Sequence, residues 1–205
     1  MPTLTSAQRR LYDAALRLFA ERGVTQVSVS ELAQAAGVAR GTVYNNVPNV
    51  DGLFVDLAAR MSSDMTARIA CLARDIEDPA DRLASGIRFY VRRAHEEPQW
   101  GRFICRFGLN EALLQDIWAG QPAKDLLEGL ERGRFDFQKE QTVSIMALLA
   151  TTVNAAIFLV QEGHKTWREA GSDAAECFLR GIGVPRSEAR AIASHELPDL
   201  PPAPR

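Results

Sequence analysis

The sequence has few cysteines, few aromatic residues and no large excess of charge of either sign. Its 205 residues include three cysteines and 7% aromatics, and 24 basic residues nearly balance 26 acidic ones, for a formal net charge of −2. A net charge near zero gives no general attraction to nucleic acid, so any binding of a polyanion must come from a local arrangement of residues. The hydrophobic fraction of 46% is ordinary for a globular protein and predicts a packed core.

The spacing of Cys71, Cys105 and Cys177 matches neither a zinc site nor a CxxC redox pair, and their odd number argues against a disulfide framework. We interpret them as buried free thiols in a reducing cytoplasm. The first twenty residues mix charged and apolar positions and contain no signal peptide pattern. We therefore expect a cytoplasmic protein.

The charge is unevenly distributed along the chain. The first fifty residues contain five arginines against three acidic residues, a balance of +2, and the remaining 155 residues carry −4. Every basic residue before Lys124 is arginine, which suits bidentate contacts to phosphates or bases and is equally expected from a GC-rich genome. This distribution predicts a slightly basic N-terminal region joined to an acidic body.

Hydrophobic periodicity predicts an all-α chain that begins with three helices. Apolar residues at helical spacing predict a first helix over about residues 6–22. A capping-box pattern at Ser28 begins a second helix, which ends at Gly37, and a third short helix follows over residues 40–46. Two short helices joined by a tight glycine turn are typical of the helix-turn-helix motif.

The remainder of the chain is also predicted to be helical, and no segment alternates with the period of a strand. The expected helices cover about residues 51–75 and 78–97, where Pro98 interrupts the pattern before an aromatic segment over 100–107. One or two helices follow within 110–133, one over 143–160, and a final pair over 172–181 and 187–194. Four prolines in residues 197–205 predict a flexible tail.

Residues 143–160 form the longest apolar segment of the chain, with no charged residue. The segment is long enough to cross a membrane, but its alanines, valines and polar interruptions favour a fully buried helix of a protein that does not enter a membrane. Ala147, Thr151 and Ala155 lie four residues apart and form a row of small side chains that would let another helix approach closely. Together with the helices after Ser172, this helix is predicted to form a dimer interface.

The third predicted helix carries side chains suited to reading DNA bases. In a helix-turn-helix the second helix of the motif enters the major groove and its first turns reach base edges. Arg40 can donate to guanine O6 and N7, and Asn45 and Asn46 can pair with adenine. Gly41 would let the backbone approach the DNA closely.

Other polar residues of the motif suit the DNA backbone. Thr42 and Tyr44 carry hydroxyl groups that can donate to phosphates, which position a protein without specifying sequence. Ser28 and Ser30 lie at the start of the preceding helix, which touches the DNA backbone in such a motif. The alternative is that these residues form the solvated face of a helix in an ordinary bundle.

The stretch from Leu11 to Leu57 resembles the TetR-type transcriptional regulators. The resemblance is carried by the residues Leu18-Phe19, Gly23, Leu32-Ala33, Ala36-Gly37-Val38, Gly41-Thr42-Val43-Tyr44 and Leu53. It implies an N-terminal three-helix DNA-binding domain and a divergent helical C-terminal domain that dimerises and often holds a ligand pocket. Val50 departs from the pattern, in which a lysine at this position bonds a DNA phosphate, and its loss should weaken DNA binding without abolishing it.

Aromatic residues of the middle region are candidates for a ligand pocket. Such pockets are mainly apolar with a few polar groups. The candidates are Trp100, Phe103, Phe107, Trp118 and Phe158. The alternative for each is packing in the core or at a subunit interface.

No catalytic or metal-binding motif is present in the sequence. It contains no GxSxG elbow, P-loop, HExxH or GxGxxG followed by an acidic residue. His95, His164 and His195 are isolated from one another and from acidic or cysteine partners at ligand spacing. We expect no enzyme activity, no metal and no cofactor.

These observations predict a homodimeric regulator that binds a palindromic double-stranded DNA operator, most simply a repressor released by a small-molecule effector. The expected division is a DNA-binding domain over residues 1–50, a dimerisation and ligand-binding domain over 51–196, and the tail over 197–205. The alternative is a ligand-binding or interaction protein that keeps the helix-turn-helix as a scaffold and no longer binds DNA.

Overall fold

The computed structural model describes residues 4–109 and 120–199. Within these ranges the chain is all-α, as predicted, with ten α-helices, one short 3₁₀ turn and no strand. The helices are α1 (Ser6–Arg22), α2 (Val29–Ala36), α3 (Arg40–Asn46), α4 (Leu53–Ala73), α5 (Pro79–Glu96), α6 (Pro98–Phe107), α7 (Gln121–Glu131), α8 (Thr142–Gln161), α9 (Trp167–Gly181) and α10 (Arg186–Ser194).

Helices α1, α2 and α3 form the head of the molecule around a small apolar core. Leu11, Leu32 and Val43, one from each helix, have no exposed surface. Gly23 and Gly37 end α1 and α2 with φ of 69° and 64°, a left-handed conformation that favours glycine. The predicted bounds of these three helices agree with the structure. α1 and α2 each begin at a capping box and end at a glycine, and α3 ends just before Pro48.

Arginines of α1 hold α2 in place. Arg10 Nη2 donates to the carbonyl oxygens of Ala36 at 2.8 Å and Gly37 at 3.1 Å, and Arg17 Nη2 donates to Ala35 O at 2.7 Å. These carbonyl groups lie at the C-terminal end of α2, where backbone C=O groups have no hydrogen-bond partner within the helix. A positive charge at this end also interacts favourably with the helix dipole. Arg10 and Arg17 are therefore used within the head, and Arg22 adds an exposed ion pair with Glu31 of α2 at 2.7 Å.

An aromatic cluster joins the head to the rest of the chain. The Phe54 ring, at the start of α4, lies 5.4 Å from Phe19 of α1 and 5.5 Å and 4.9 Å from Phe103 and Phe107 of α6, measured between ring centroids. Each such pair adds to the stabilisation from burial. Helices α4 and α6 both contact α1.

Helices α5 to α10 form the body, in which α5 contacts each of the other five helices. Its apolar residues Ile87, Phe89 and Val91 have 2% or less of their surface exposed. Burial of such side chains, at about 25 cal/mol per Å² of apolar surface, is the main stabilising contribution. This packing places α5 at the centre of the body.

Helix α8 corrects the prediction of a fully buried helix over residues 143–160. Val143, Leu148 and Phe158 expose 62%, 56% and 50% of their surface, and the small-residue row of Ala147, Thr151 and Ala155 is exposed as well. The reason is that α5, α6, α7 and α9 pack against one side of α8 only.

The stretch Lys139–Gln161, which contains α8, is long and apolar enough to cross a membrane, and 33% of its most apolar window is buried. A helix of the core of a soluble protein meets the same criterion. Its exposed side forms an uncharged stripe of apolar and small residues.

Two further expectations are corrected. Cys71 and Cys177 are exposed, not buried, because they lie on the outer faces of α4 and α9. Cys105 is half-buried, and burial, with a smaller contribution from Glu162, raises the pKa of its thiol to about 11. A thiol with this pKa is protonated at neutral pH and is a poor nucleophile.

Of the flexible tail predicted over residues 197–205, the structure describes residues 197–199. Leu197 packs against the core, and Arg92 of α5 binds both Pro198 O, at 3.2 Å, and Asp199 Oδ1, at 3.1 Å. Residues 200–205 lie outside the described residues. Residues 197–199 are therefore part of the body.

Candidate DNA-binding surface and ligand cavity

Helix α3 presents a polar surface to solvent. Val43 is fully buried and anchors the helix on the head, whereas Arg40, Gly41, Tyr44 and Asn45 are exposed, Tyr44 by 66%. This exposed fraction is large for tyrosine, whose apolar ring is on average at least partly buried. The surface thus offers one guanidinium, one phenol and one amide that make no hydrogen bond or ion pair with the described part of the chain.

Gly41 leaves open space on this surface. A Cβ atom built on Gly41 would meet no atom within 4 Å. The residue lies inside α3, where glycine is less favourable than alanine by about 0.5–1 kcal/mol. Neither packing nor backbone geometry within the chain accounts for glycine here.

Two of the predicted DNA-binding side chains make hydrogen bonds within the head. Ser28 Oγ accepts from the backbone N of Glu31 at 3.2 Å and donates to Glu31 Oε2 at 2.8 Å. Asn46 Nδ2 donates to Thr42 O at 2.8 Å, and Asn46 is half-buried. Ser28 therefore caps α2 next to a carboxylate, and its contact with the DNA backbone stays a prediction.

The other predicted positions remain accessible to different degrees. Ser30 is exposed in the first turn of α2, and Thr42 is half-buried on α3. Val50 is half-buried against the core. Asn49 Oδ1 accepts from Gly52 N at 3.0 Å just before α4 begins, so one of the free N–H groups near this helix start is already bound.

A mainly apolar cavity lies between α4, α5, α6, α7 and α8. The cavity has a volume of about 70 Å³, room for roughly five to seven water molecules. Its apolar wall is formed by Met61, Ile69, Leu83, Ile87, Ile104, Leu149 and Val153, together with the rings of Tyr90 and Trp100. The cavity therefore fits a small ligand with an apolar body.

The charged part of the cavity wall is balanced internally. Arg82 Nε donates to Asp125 Oδ1 at 2.6 Å, its Nη1 donates to the carbonyl oxygens of Ile76 and Glu77, and its Nη2 pairs with Glu128. Burial raises the pKa of the Asp125 carboxyl, and hydrogen bonds from Gln121 and Arg82 oppose that rise in part. This buried network joins α5 to α7.

Two polar atoms of cavity-lining residues lack partners. Ser62 Oγ on α4 and Trp100 Nε1 on α6 are buried and have no hydrogen-bond partner in the described part of the chain. An unpaired buried donor costs about 1–3 kcal/mol and is rare in native proteins.

Of the five aromatic residues predicted to contact a ligand, Trp100 lines the cavity. Phe103 and Phe107 belong to the aromatic cluster with Phe54, and Phe158 is half-exposed on the outer side of α8, so none of these three forms the cavity wall. Trp118 lies outside the described residues. Trp100, Phe103 and Phe107 lie at positions i, i+3 and i+7 and so share one side of α6. Trp100, in the first turn, lines the cavity, whereas Phe103 and Phe107, further along the helix, contact Phe54.

Tyr90 is one of the aromatic residues of the middle region that the sequence suggests for a ligand cavity, and it lines this one. The sequence did not reveal Ser62 or Asp125 as cavity residues, because they come from two helices that are distant in sequence. Among the described residues, no group of three His, Cys, Asp or Glu side chains could hold a metal ion.

The head has the arrangement of a helix-turn-helix DNA-binding domain, in which the third helix presents an exposed polar surface. It is joined to a larger helical body that contains a cavity. Residues 11–57 match the family model described as bacterial regulatory proteins, tetR family, and residues 78–195 match the tetracyclin repressor-like C-terminal domain. The chain belongs to the TetR family of transcriptional regulators.

Individual relatives agree with this family. An HTH-type transcriptional repressor of Mycobacterium tuberculosis is 31% identical over 108 residues, 48% of this chain and 57% of the relative. The chain spans about half the length of the curated relatives that it matches first, 46% for an uncharacterized HTH-type regulator of the same organism. The crystal structure of RolR with its ligand resorcinol has a TM-score of 0.70 and 29% identity, covering 95% of this chain and 96% of RolR. The fatty acid degradation regulator FadR from Bacillus halodurans shares the fold, with a TM-score of 0.74 and 21% identity over 90% of this chain and 100% of FadR.

Proposed function

We propose that this protein is a cytoplasmic homodimeric repressor that binds a palindromic DNA operator through α3 and leaves it when a small molecule occupies the cavity. The exposed polar surface of α3 carries this proposal. Within it, Arg40 reads guanine, Asn45 reads adenine, and Tyr44 and Thr42 contact phosphates. Ser30 contributes a backbone contact from α2.

The division of labour follows the three parts of the chain. Residues 1–50 bind DNA, residues 51–196 dimerise and hold the effector, and α4 connects the two. The repressor from Mycobacterium tuberculosis supports the sign of regulation, and RolR with resorcinol supports an effector of the size of one aromatic ring. The volume of the cavity is consistent with such a ligand.

The uncharged stripe of α8 is the proposed dimer interface, with α9 beside it. Thr151 Oγ1 donates to the carbonyls of Ala147 and Leu148, both at 3.0 Å, so its hydroxyl needs no partner across the interface. A second copy related by a two-fold axis would cover Val143, Leu148 and Phe158. Two α3 helices would then read half-sites about one helical turn apart, roughly 34 to 36 Å.

A second candidate is a ligand-binding protein that no longer binds DNA. It is favoured by Val50 in place of the lysine that the family resemblance implies, and by Ser28 and Asn46, whose side chains are used within the head. In that case the exposed residues of α3 would have no role beyond solubility.

The Arg40→Ala variant tests the base-reading role of α3. We expect operator affinity to fall about 10- to 100-fold, because one bidentate arginine contact contributes about 1–3 kcal/mol. Affinity is measured by gel shift and footprinting on the DNA upstream of the protein's own gene, at a fixed salt concentration. Arg190→Ala, at an exposed position of α10, is the matched control. Unchanged specific binding by Arg40→Ala would refute the role, and a folded dimer that protects no DNA at low salt would favour the second candidate.

The Gly41→Ala variant separates stability from binding. Because Gly41 lies in a helix and the added methyl group meets no atom, we expect the free energy of unfolding to rise by up to about 1 kcal/mol. Operator affinity should fall at least tenfold if the DNA backbone approaches this residue. Urea unfolding and the same gel shift measure the two quantities. A variant with improved stability and full affinity would show that α3 does not approach DNA at Gly41.

A further inference from the structure

The cavity contains hydrogen-bonding groups that the fold itself leaves unused. Ser62 Oγ and Trp100 Nε1 are buried and unpaired among the described residues. Both hydrogen bonds to the Asp125 side chain, from Arg82 Nε at 2.6 Å and Gln121 Nε2 at 2.8 Å, end on Oδ1, so Oδ2 has capacity to accept. Donors and an acceptor thus border one cavity from three helices, α4, α6 and α7.

The described residues of the cavity wall offer no unpaired positive charge. Of the described residues in its wall, Arg82 is the only cation, and it is bound to Asp125, Glu128 and two backbone carbonyls. A carboxylate or phosphate placed here would lose its hydration without gaining a cation, which is strongly unfavourable. The wall therefore selects against anionic ligands.

We propose that the effector is a small uncharged molecule with a flat apolar ring and at least one hydroxyl group. Its hydroxyl donates to Asp125 Oδ2 and accepts from the donors of Ser62 or Trp100, and its ring packs against Tyr90 and the aliphatic wall. The hydroxyl of Ser62 can move among the staggered positions of its side chain to meet the ligand. This inference rests on the proposed function, of which it specifies the effector.

The test compares three ring compounds of similar size: phenol, toluene and benzoate. Phenol and toluene differ by a hydroxyl in place of a methyl group, and benzoate adds a negative charge. We expect phenol to bind the full-length protein at least tenfold more tightly than either of the others, measured by isothermal titration calorimetry at pH 7. Equal or tighter binding of toluene or benzoate, or no binding of phenol at 10 mM, overturns the proposal.

The Ser62→Ala variant gives a second test, in which phenol binding should weaken while the stability of the ligand-free protein rises. It should weaken phenol binding about 3- to 10-fold while leaving toluene binding unchanged, because it removes one hydrogen bond. It should also raise the melting temperature of the ligand-free protein by about 2–4 °C, since the unpaired hydroxyl is removed from the interior. Ser63→Ala, the next residue of α4, is the matched control and should change neither quantity.

A Ser62→Ala protein that loses stability and binds phenol as before would assign Ser62 to the fold alone and overturn its role. Operator binding without any compound is measured separately by gel shift. Failure to bind DNA would refute the proposed function while leaving the phenol result intact, and normal DNA binding with no preference for phenol would refute the effector class alone.

Discussion

Leu148→Glu is expected to convert the proposed dimer into a monomer and to abolish the proposed operator binding at working concentrations. Leu148 lies in the stripe of α8 and exposes 56% of its surface in the single chain. A two-fold axis near the stripe would bury two copies of the new carboxylate, and an uncompensated buried charge costs about 3–5 kcal/mol. The dimer dissociation constant should therefore rise by roughly 100- to 1000-fold or more.

Sedimentation equilibrium measures the oligomeric state of this variant, and circular dichroism verifies that its helices are retained. Leu109→Glu is the control, because Leu109 is exposed by 52% but lies at the end of α6, outside the stripe. We expect the control to remain dimeric. A monomeric wild-type protein at micromolar concentration, or a Leu148→Glu variant that stays dimeric, would show that α8 is not the interface.

Arg82→Met is expected to have the largest effect on stability, about 3–5 kcal/mol. The substitution keeps much of the side-chain volume but leaves Asp125, 2% exposed, without its cation. Burial already raises the pKa of this carboxyl, and loss of Arg82 should raise it further above the value in the unfolded chain. The penalty should then be largest at neutral pH and shrink as the pH falls toward 4, because protonation removes the buried charge.

Urea unfolding at pH 7.5 and 5 measures both the loss and its dependence on pH. The exposed pair of Arg22 and Glu31 provides the control, since Arg22→Met should cost no more than about 1 kcal/mol. The double variant Arg82→Met with Asp125→Leu should be more stable than Arg82→Met alone, because it removes both charges. A double variant less stable than the single would contradict this electrostatic account.

The head could be predicted in detail because its helix ends depend on neighbouring residues. Ser28 with Glu31, and the glycines Gly23 and Gly37, set the bounds of α1 and α2 by local hydrogen bonds and backbone conformation. Helix α4 begins two residues later than expected because the Asn49 side chain binds Gly52 N and makes a separate turn first. Even this difference has a local cause, because the turn depends on the asparagine three residues before Gly52.

The cavity could not be predicted in this way, because its residues come together only through packing of five helices. Aromatic content indicated Trp100, which lines the cavity, together with Phe103 and Phe107 of the same helix, which pack against Phe54 instead. The composition of α8 likewise predicted that the helix is shielded from water. It could not indicate whether the shielding residues belong to the same chain or to a second copy. The hydrophobic periodicity of a sequence predicts a helix and its apolar side, whereas the burial of that side depends on which other helices pack against it.

The aromatic cluster around Phe54 has a consequence for the transmission of a signal to DNA. Helix α1 is held by α4 and by α6 at the same time, and Ser62 and Trp100 place the cavity between these two helices. A ligand that changes their separation would act on the head through two supports in parallel, not through α4 alone. A change in the short connection between α3 and α4 would then leave the contacts between α6 and α1 in place. Truncation of Phe54, whose ring contacts both α1 and α6, would weaken the packing of the head on both helices.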